Sequence, residues 1–242
     1  QAVAALAGGT ATIGKVDKIV GPGNKWVQAA KKNVSGDYVG IDSIAGPSEV
    51  LILANEQANP AWIAADMLSQ AEHAADSSAI VLTDSESLAK ETLKELQKQL
   101  TELPRTKEAK ESLKNFSAIV VVEDMSRAIE MADDFAPEHL EVQCGGQSRE
   151  IAGRISNAGA IFIGSYTPVA VGDYWAGPSH TLPTGMRAKF ASALTSNDFL
   201  KSTSIVEYDQ EMLASSADDI ARIAEVEGLH AHAKSIKIRQ QD

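Results

Sequence analysis

The sequence predicts an α/β fold: incomplete Rossmann-like, doubly wound and mostly parallel sheets, followed by a helical C-terminal tail. Three observations predict it. Apolar runs such as Glu49–Ala54 (EVLILA) and Ser117–Glu123 (SAIVVVE) are continuous rather than alternating, as in strands buried on both faces. These runs alternate with helical patterns of ~10–15 residues, the signature of strand–helix–strand units. The final segment, from Glu207 onward, carries a helical pattern and no strand.

Taken in order, Gln1–Ala7 reads as the inside of a helix ended by Gly8 and Gly9. With no initiator Met before it, the chain is expected to be the C-terminal portion of something longer. Val16–Val20 is a strand, Pro22-Gly23-Asn24 opens a helix running to Asn33, and Val39–Ile41 is a further strand. Glu49–Ala54 starts the regular alternation. A helix over Pro60–Ala74 follows, with Asn59 as N-cap and Pro60 at the first helical position. Then come a strand at Ala79–Thr83, a Leu-spaced helix at Ser85–Leu100, a strand at Ser117–Glu123 and a helix at Met125–Phe135. Leu140–Gln143 is a short strand, Ser148–Asn157 a helix and Ala160–Gly164 a strand. Residues 166–195, rich in Gly, Pro, Ser and Thr, read as a long ordered loop, and loops of that length are usually functional. The helical tail over Glu207–Asp242 breaks at Gly228. Sheets of this kind hold ligands at the carboxyl ends of their strands, where a site is expected.

The 242 residues suffice for one large or two modest domains. With 44% hydrophobic and 23% charged residues, the composition is that of an ordinary globular protein. A net charge of −11 argues against nucleic acid, whose phosphates need clustered Lys and Arg. Apolar runs such as Ala118–Val122 fall far short of the ~18 residues that span a bilayer, so no membrane is expected as a partner. The single cysteine, Cys144, excludes an internal disulfide and fits a reducing, cytoplasmic location.

Candidate chemistry starts from Gln70 and His73. Three residues apart, they lie on one face of a helix end. They could hold a metal ion or a polar ligand, or simply cap nearby carbonyls. Of the five histidines, His139 follows Glu138 where the chain enters a strand, so their side chains are expected to point to opposite sides. His180 lies in the Gly-rich loop seven residues after Asp173, and His230 and His232 lie in the tail. Two imidazoles, a carboxylate and an oxygen donor could form a zinc site. Gly21-Pro22-Gly23-Asn24 follows a strand and opens a helix, so its N–H groups could meet a phosphate. Ala45-Gly46-Pro47-Ser48-Glu49 is a turn presenting a hydroxyl. Without a GxSxG elbow, Ser48 is not expected to be a nucleophile.

Six segments resemble the histidinol dehydrogenase family in order and spacing: GPGNKWV (21–27), AGPSEVLILA (45–54), DMLSQAEHAADS (66–77), FAPEHLEV (135–142), VGDYWAGPSHTLPT (171–184) and EVEGLHAH (225–232). The resemblance runs from Gln1 to the tail. It implies NAD⁺-dependent, zinc-dependent oxidation of L-histidinol through L-histidinaldehyde to L-histidine, using two NAD⁺. It implies Gln70, His73, Asp173 and His232 as zinc ligands and Glu138 and His139 as the acid–base pair. Ser48, His139 and Glu227 would contact substrate together with the zinc ligands, and Gln1 and Asn24 would contact NAD⁺. It also implies a homodimer in which His232 crosses the interface. Residues 1–48 would then belong to a cofactor-side Rossmann-like domain, 49–194 to the domain carrying most of the zinc and substrate site, and 195–242 to a dimerisation tail. Ala74-Ala75 stands where the family often has Gly-Pro, and the family is nearly twice this length. Two other readings are a zinc hydrolase in which Glu138 activates water, and a non-catalytic fragment that needs its N-terminal half.

Overall fold

The computed structural model describes residues 1–44, 46–104 and 106–240. Ala45, in the expected turn before Ser48, and Gln241 and Asp242, at the end of the expected tail helix, lie outside the described residues. The chain separates into two compact units, Gln1–Phe199 and Leu200–Asp242.

The first unit begins with helix α1 (Ala2–Gly8), strand β1 (Lys18–Ile19), helix α2 (Lys25–Val34) and strand β2 (Gly40–Ile41). The two short strands pair in parallel, Lys18 with Gly40 and Ile19 with Ile41. Both are shorter than the predicted runs. What fixes this region is an ion pair. Lys31, on α2, is 1% exposed; its ammonium meets the Asp42 carboxylate and donates to the Gly21 carbonyl at 2.9 Å. Asp42 in turn accepts from the Gly21 N–H at 2.8 Å. Burial alone would raise the Asp42 pKa, but the Lys31 ammonium and the N–H groups of Gly21 and Ser43 outweigh it and hold the carboxyl below its usual value. Gly21, at φ 118°, adopts a backbone conformation that L side chains rarely take.

The main sheet has five parallel strands: β3 (Glu49–Ala54), β4 (Ser78–Thr83), β5 (Ala118–Val121), β6 (His139–Gln143) and β7 (Ala160–Ile163). Their spatial order is β5-β4-β3-β6-β7. The register sets Glu49 beside Ser78 and Val50 beside His139. Helices α3 (Pro60–Ala71), α4 (Glu86–Leu100) and α5 (Thr106–Asn115) cover one face, where Val50, Ile52, Ile63, Met67, Val81 and Leu96 pack together. Helices α6 (Met125–Phe135) and α7 (Ser148–Ala152) cover the other, over Leu51, Leu53, Ile129, Leu140 and Val142. Each such buried Leu or Ile contributes about 1.5–3 kcal/mol relative to exposure, which is why β3 needs a continuous apolar run.

Local signals set the helix starts. Asn59 accepts from the Ala61 N–H at 2.9 Å ahead of Pro60, Ser85 caps α4 and Asp124 caps α6. Several ends differ from the sequence reading. Helix α3 stops at Ala71, not Ala74: the His73 N–H turns back to the Gln70 carbonyl at 3.3 Å, a three-residue step that ends the α-helical ladder. Helix α7 stops at Ala152, before the poor helix former Gly153. Helix α5 went unread because its sequence is mostly charged; only Ala109 and Ser112 are buried. The expected 166–195 loop contains a helix, α8 (Val169–Tyr174).

The second unit is a helical hairpin, α9 (Gln210–Val226) and α10 (His230–Lys237). Asp209 caps α9, and Gly228 makes the break at φ 74°, as expected. Ala221, Ala224 and Ala233 form its small core, and Lys237 pairs with Glu225 at 2.6 Å.

Replacing Lys31 by Met leaves Asp42 buried without its cation. Stability is expected to fall by about 3–5 kcal/mol, read as a lower urea midpoint; an unchanged midpoint would refute the role given to this pair.

Candidate active site

A cavity of about 350 Å³ opens at the amino ends of β3 and β6. Ser48, Gln70, His73, Glu138, His139 and Asp173 line it. Ser48 immediately precedes β3, Glu138 precedes β6, and His139 is the first residue of β6. Helix α3 crosses back between two parallel strands, so its C-terminus arrives at their amino edge. It delivers Gln70 in its last turn and His73 in the turn that follows. Asp173 comes from α8. The site expectation is thereby corrected: these residues gather at the amino edge, not the carboxyl edge. The crevice at the carboxyl ends, lined by Asn55, Asp84 and Gln147, contains none of them.

The main chain of one residue, Glu49, holds the Glu138–His139 pair. The Glu49 N–H donates to Glu138 Oε2 at 2.9 Å, and the Glu49 carbonyl lies 3.0 Å from His139 Nδ1. A carbonyl can only accept, so Nδ1 carries the proton and a neutral His139 keeps its lone pair on Nε2. The expectation that the two side chains diverge is wrong: Glu138 Oε2 and His139 Nδ1 lie 3.6 Å apart, because Glu138 sits before the pleat begins. Both residues are 6% exposed. Burial pushes the Glu138 carboxyl up to about 8; the Glu49 N–H and the Ser48 hydroxyl oppose the shift, while the carboxylates of Glu49 and Asp173 add to it. Burial lowers the His139 pKa, which favours the neutral ring. The cavity thus holds a carboxylic acid and a neutral imidazole able to accept a proton.

Gln70, His73 and Asp173 offer two oxygens and one nitrogen, a donor set that suits zinc. Gln70 is 3% exposed and its Nε2 has no hydrogen-bond partner. Rotating that amide half a turn puts its oxygen at this position, free to ligate a cation. Among the described residues no three His, Cys, Asp or Glu side chains cluster closely enough to hold a metal ion. The three residues fit a zinc ion as a partial set that needs a further ligand.

His180, which carried no role in the sequence reading, lines the same cavity, as do Pro22 and Gly23 of the Gly21–Asn24 turn. Asn24 does not: its side-chain oxygen caps α2, accepting from the N–H groups of Trp26 and Val27. Gln1 is the exposed N-cap of α1. Glu227 and His232 belong to the second unit, at the end of α9 and in the first turn of α10, and both are exposed. The long loop is pinned at its far end, where the Gly185 N–H donates to Glu49 Oε1 at 3.1 Å and the Gly46 N–H donates to Thr184.

A family model for histidinol dehydrogenase matches residues 1–240. The histidinol dehydrogenase of Bacillus subtilis (strain 168) is 52% identical over 242 residues, covering all of this chain and 56% of that protein. That of Prochlorococcus marinus (strain MIT 9312) is 50% identical, covering all of this chain and 54% of that protein. The crystal structure of histidinol dehydrogenase from Elizabethkingia anophelis superposes with a TM-score of 0.90 at 39% identity, over 99% of this chain and 55% of that one. The chain therefore spans about half the length of the curated relatives it matches. No helix among the described residues is long and apolar enough to cross a membrane. On this match along its length, the chain belongs to the histidinol dehydrogenase family.

Proposed function

We propose that this chain carries most of the active site of an enzyme that oxidises L-histidinol to L-histidine with NAD⁺. The observation that carries the reading is that one cavity brings Glu138 and His139, both held by the Glu49 main chain, together with Gln70, His73 and Asp173. Gln70, His73 and Asp173 would hold a zinc ion, completed by His232 of a second copy. When bound, the zinc would supply a Lewis-acid centre that fixes the nitrogens of the substrate. His139 Nε2 would take the hydroxyl proton as the carbinol carbon loses hydride to the nicotinamide. Glu138, as carboxylate, would draw a proton from the water that adds to the aldehyde, and the hydrate would lose a second hydride to give the acid. Ser48 would hydrogen-bond the substrate and keep Glu138 oriented. Glu227 would pair with the substrate's ammonium.

For the coenzyme, Gln1 and the Gly21–Asn24 turn would make the contacts. Because the Asn24 oxygen already caps α2, its NH₂ would be the group offered. Residues 1–48 would belong to the cofactor-side domain, 49–194 to the domain bearing the site and 195–242 to a dimerisation tail, in a homodimer working in the cytoplasm. Exposed Ile223, Val226 and Leu229 on the hairpin support the last assignment, since apolar patches of this kind mark interfaces.

The decisive assay is histidinol-dependent NADH formation by the full-length protein. It should be lost on chelation and restored by zinc; ester or amide hydrolysis without NADH would point to the zinc hydrolase instead. Glu138 is an acid below about pH 8 and a base above it, so the second oxidation should speed up as pH rises and level off past 8. In Glu138→Gln that rising limb should vanish and the aldehyde step should slow about 10²–10⁴-fold; a variant with the parent profile refutes the role. Separately, inactive His232→Asn mixed with inactive Glu138→Gln should regain part of the activity, because some mixed sites carry neither change. If no mixture recovers activity, the shared site is wrong.

A further inference from the structure

On β6, every second side chain points toward α3, and three of these are polar: His139, Glu141 and Gln143. Glu141 is 1% exposed and cannot reach water. Its Oε1 accepts from the Val169 N–H at 2.9 Å, the first N–H of α8. Pro168, the N-cap residue, offers that helix end no side-chain bond of its own. Glu141 Oε2 accepts from Gln143 Nε2 at 2.9 Å, and the same nitrogen donates to Asp66 Oδ2 at 2.7 Å. The two carboxyls bind the same nitrogen and adjoin each other. Neighbouring buried carboxyls avoid repulsion by holding one proton between them. Asp66 lies one turn before Gln70 on the same face of α3. The network thus joins three elements that each deliver groups to the cavity: β6 with His139, α3 with Gln70 and His73, and α8 with Asp173.

We propose that Glu141 is a positioning residue: through Val169 and Asp66 it sets α8 against α3 and so aligns Asp173 with Gln70 and His73. The mechanism given above makes no use of Glu141. Its burial and the adjacent Asp66 carboxylate raise its pKa, which keeps it available as the proton-bearing partner. The inference rests on the zinc reading of those three side chains. Groups that orient metal ligands typically change metal affinity 10–100-fold when removed.

The test uses the full-length enzyme and reads metal binding as well as turnover. Glu141→Leu keeps the bulk and deletes every hydrogen bond; Glu141→Gln keeps an acceptor for Val169 and a donor for Asp66. Val169→Pro removes the N–H and puts a ring of similar size in place of the buried valine, at a helix position where Pro is tolerated; Val169→Ala, which keeps the N–H, controls for the side chain, and the pair serves even where Glu141→Leu fails to fold. Zinc affinity is measured by chelator competition, site geometry by the absorption spectrum of the cobalt-substituted protein, and kcat and KM for each substrate. Glu141→Leu and Val169→Pro should bind zinc about 10–100-fold more weakly, shift the cobalt spectrum and raise the KM for histidinol, with the KM for NAD⁺ unchanged. Glu141→Gln should restore affinity and spectrum. Wild-type zinc affinity and spectrum in either disrupting variant overturn the proposal, even if melting falls. A parent enzyme that takes up no zinc refutes the zinc reading instead.

Discussion

The molecule is organised by one constraint: a parallel strand buried on both faces cannot leave a polar side chain without a partner. Strand β6 is such a strand, every residue of it buried, yet three of its five side chains are polar. Leu140 and Val142 face α6 and α7 as ordinary core. Gln143 donates to Glu141 within the strand, and otherwise His139, Glu141 and Gln143 draw their partners from outside it. Glu49 supplies His139, Val169 supplies Glu141, and Asp66 supplies Gln143. Each partner comes from a different element, so satisfying β6 also fixes the start of β3, the middle of α3 and the start of α8. The cavity is the space these anchored pieces enclose.

Much of the fold could be read directly because its signals are local. EVLILA maps onto β3 with no error at either end, and Met125–Phe135 onto α6, whose Asp cap lies next to it. What escaped depended on distant residues. His139 lies just outside the predicted strand because HLEVQ is not continuously apolar; burying its polar side chains requires Glu49, Asp66 and Val169, far away in sequence. Helix α8 hid in a Gly-rich stretch because its first N–H is satisfied by Glu141, 28 residues earlier. Charged α5 buries two small residues and carries no apolar stripe to read. The alternation of polar and apolar residues in HLEVQC was nevertheless a visible sign that one face of that strand meets something polar.

The site followed a similar division. The resemblance to a known family singled out Ser48, Gln70, His73, Glu138, His139 and Asp173, and the fold brings these six to one cavity. Residue types could not say which edge of the sheet would hold them, and the general rule for doubly wound sheets pointed to the wrong one. The reason is local: polar groups occupy the residues entering β3 and β6, while the segments leaving β3 and β4 build a separate polar crevice.

The main chain of Glu49 has a consequence for how this site can vary. It orients Glu138 with its N–H and His139 with its carbonyl, and both are main-chain groups. No substitution at position 49 short of proline deletes either bond. Genetic drift can therefore alter the Glu49 side chain, and with it the Gly185 tie, while the relative orientation of acid and base is inherited from the β3–β6 register. The geometry is heritable at the level of strand pairing rather than of a single codon, and a one-residue register slip would lose both groups together.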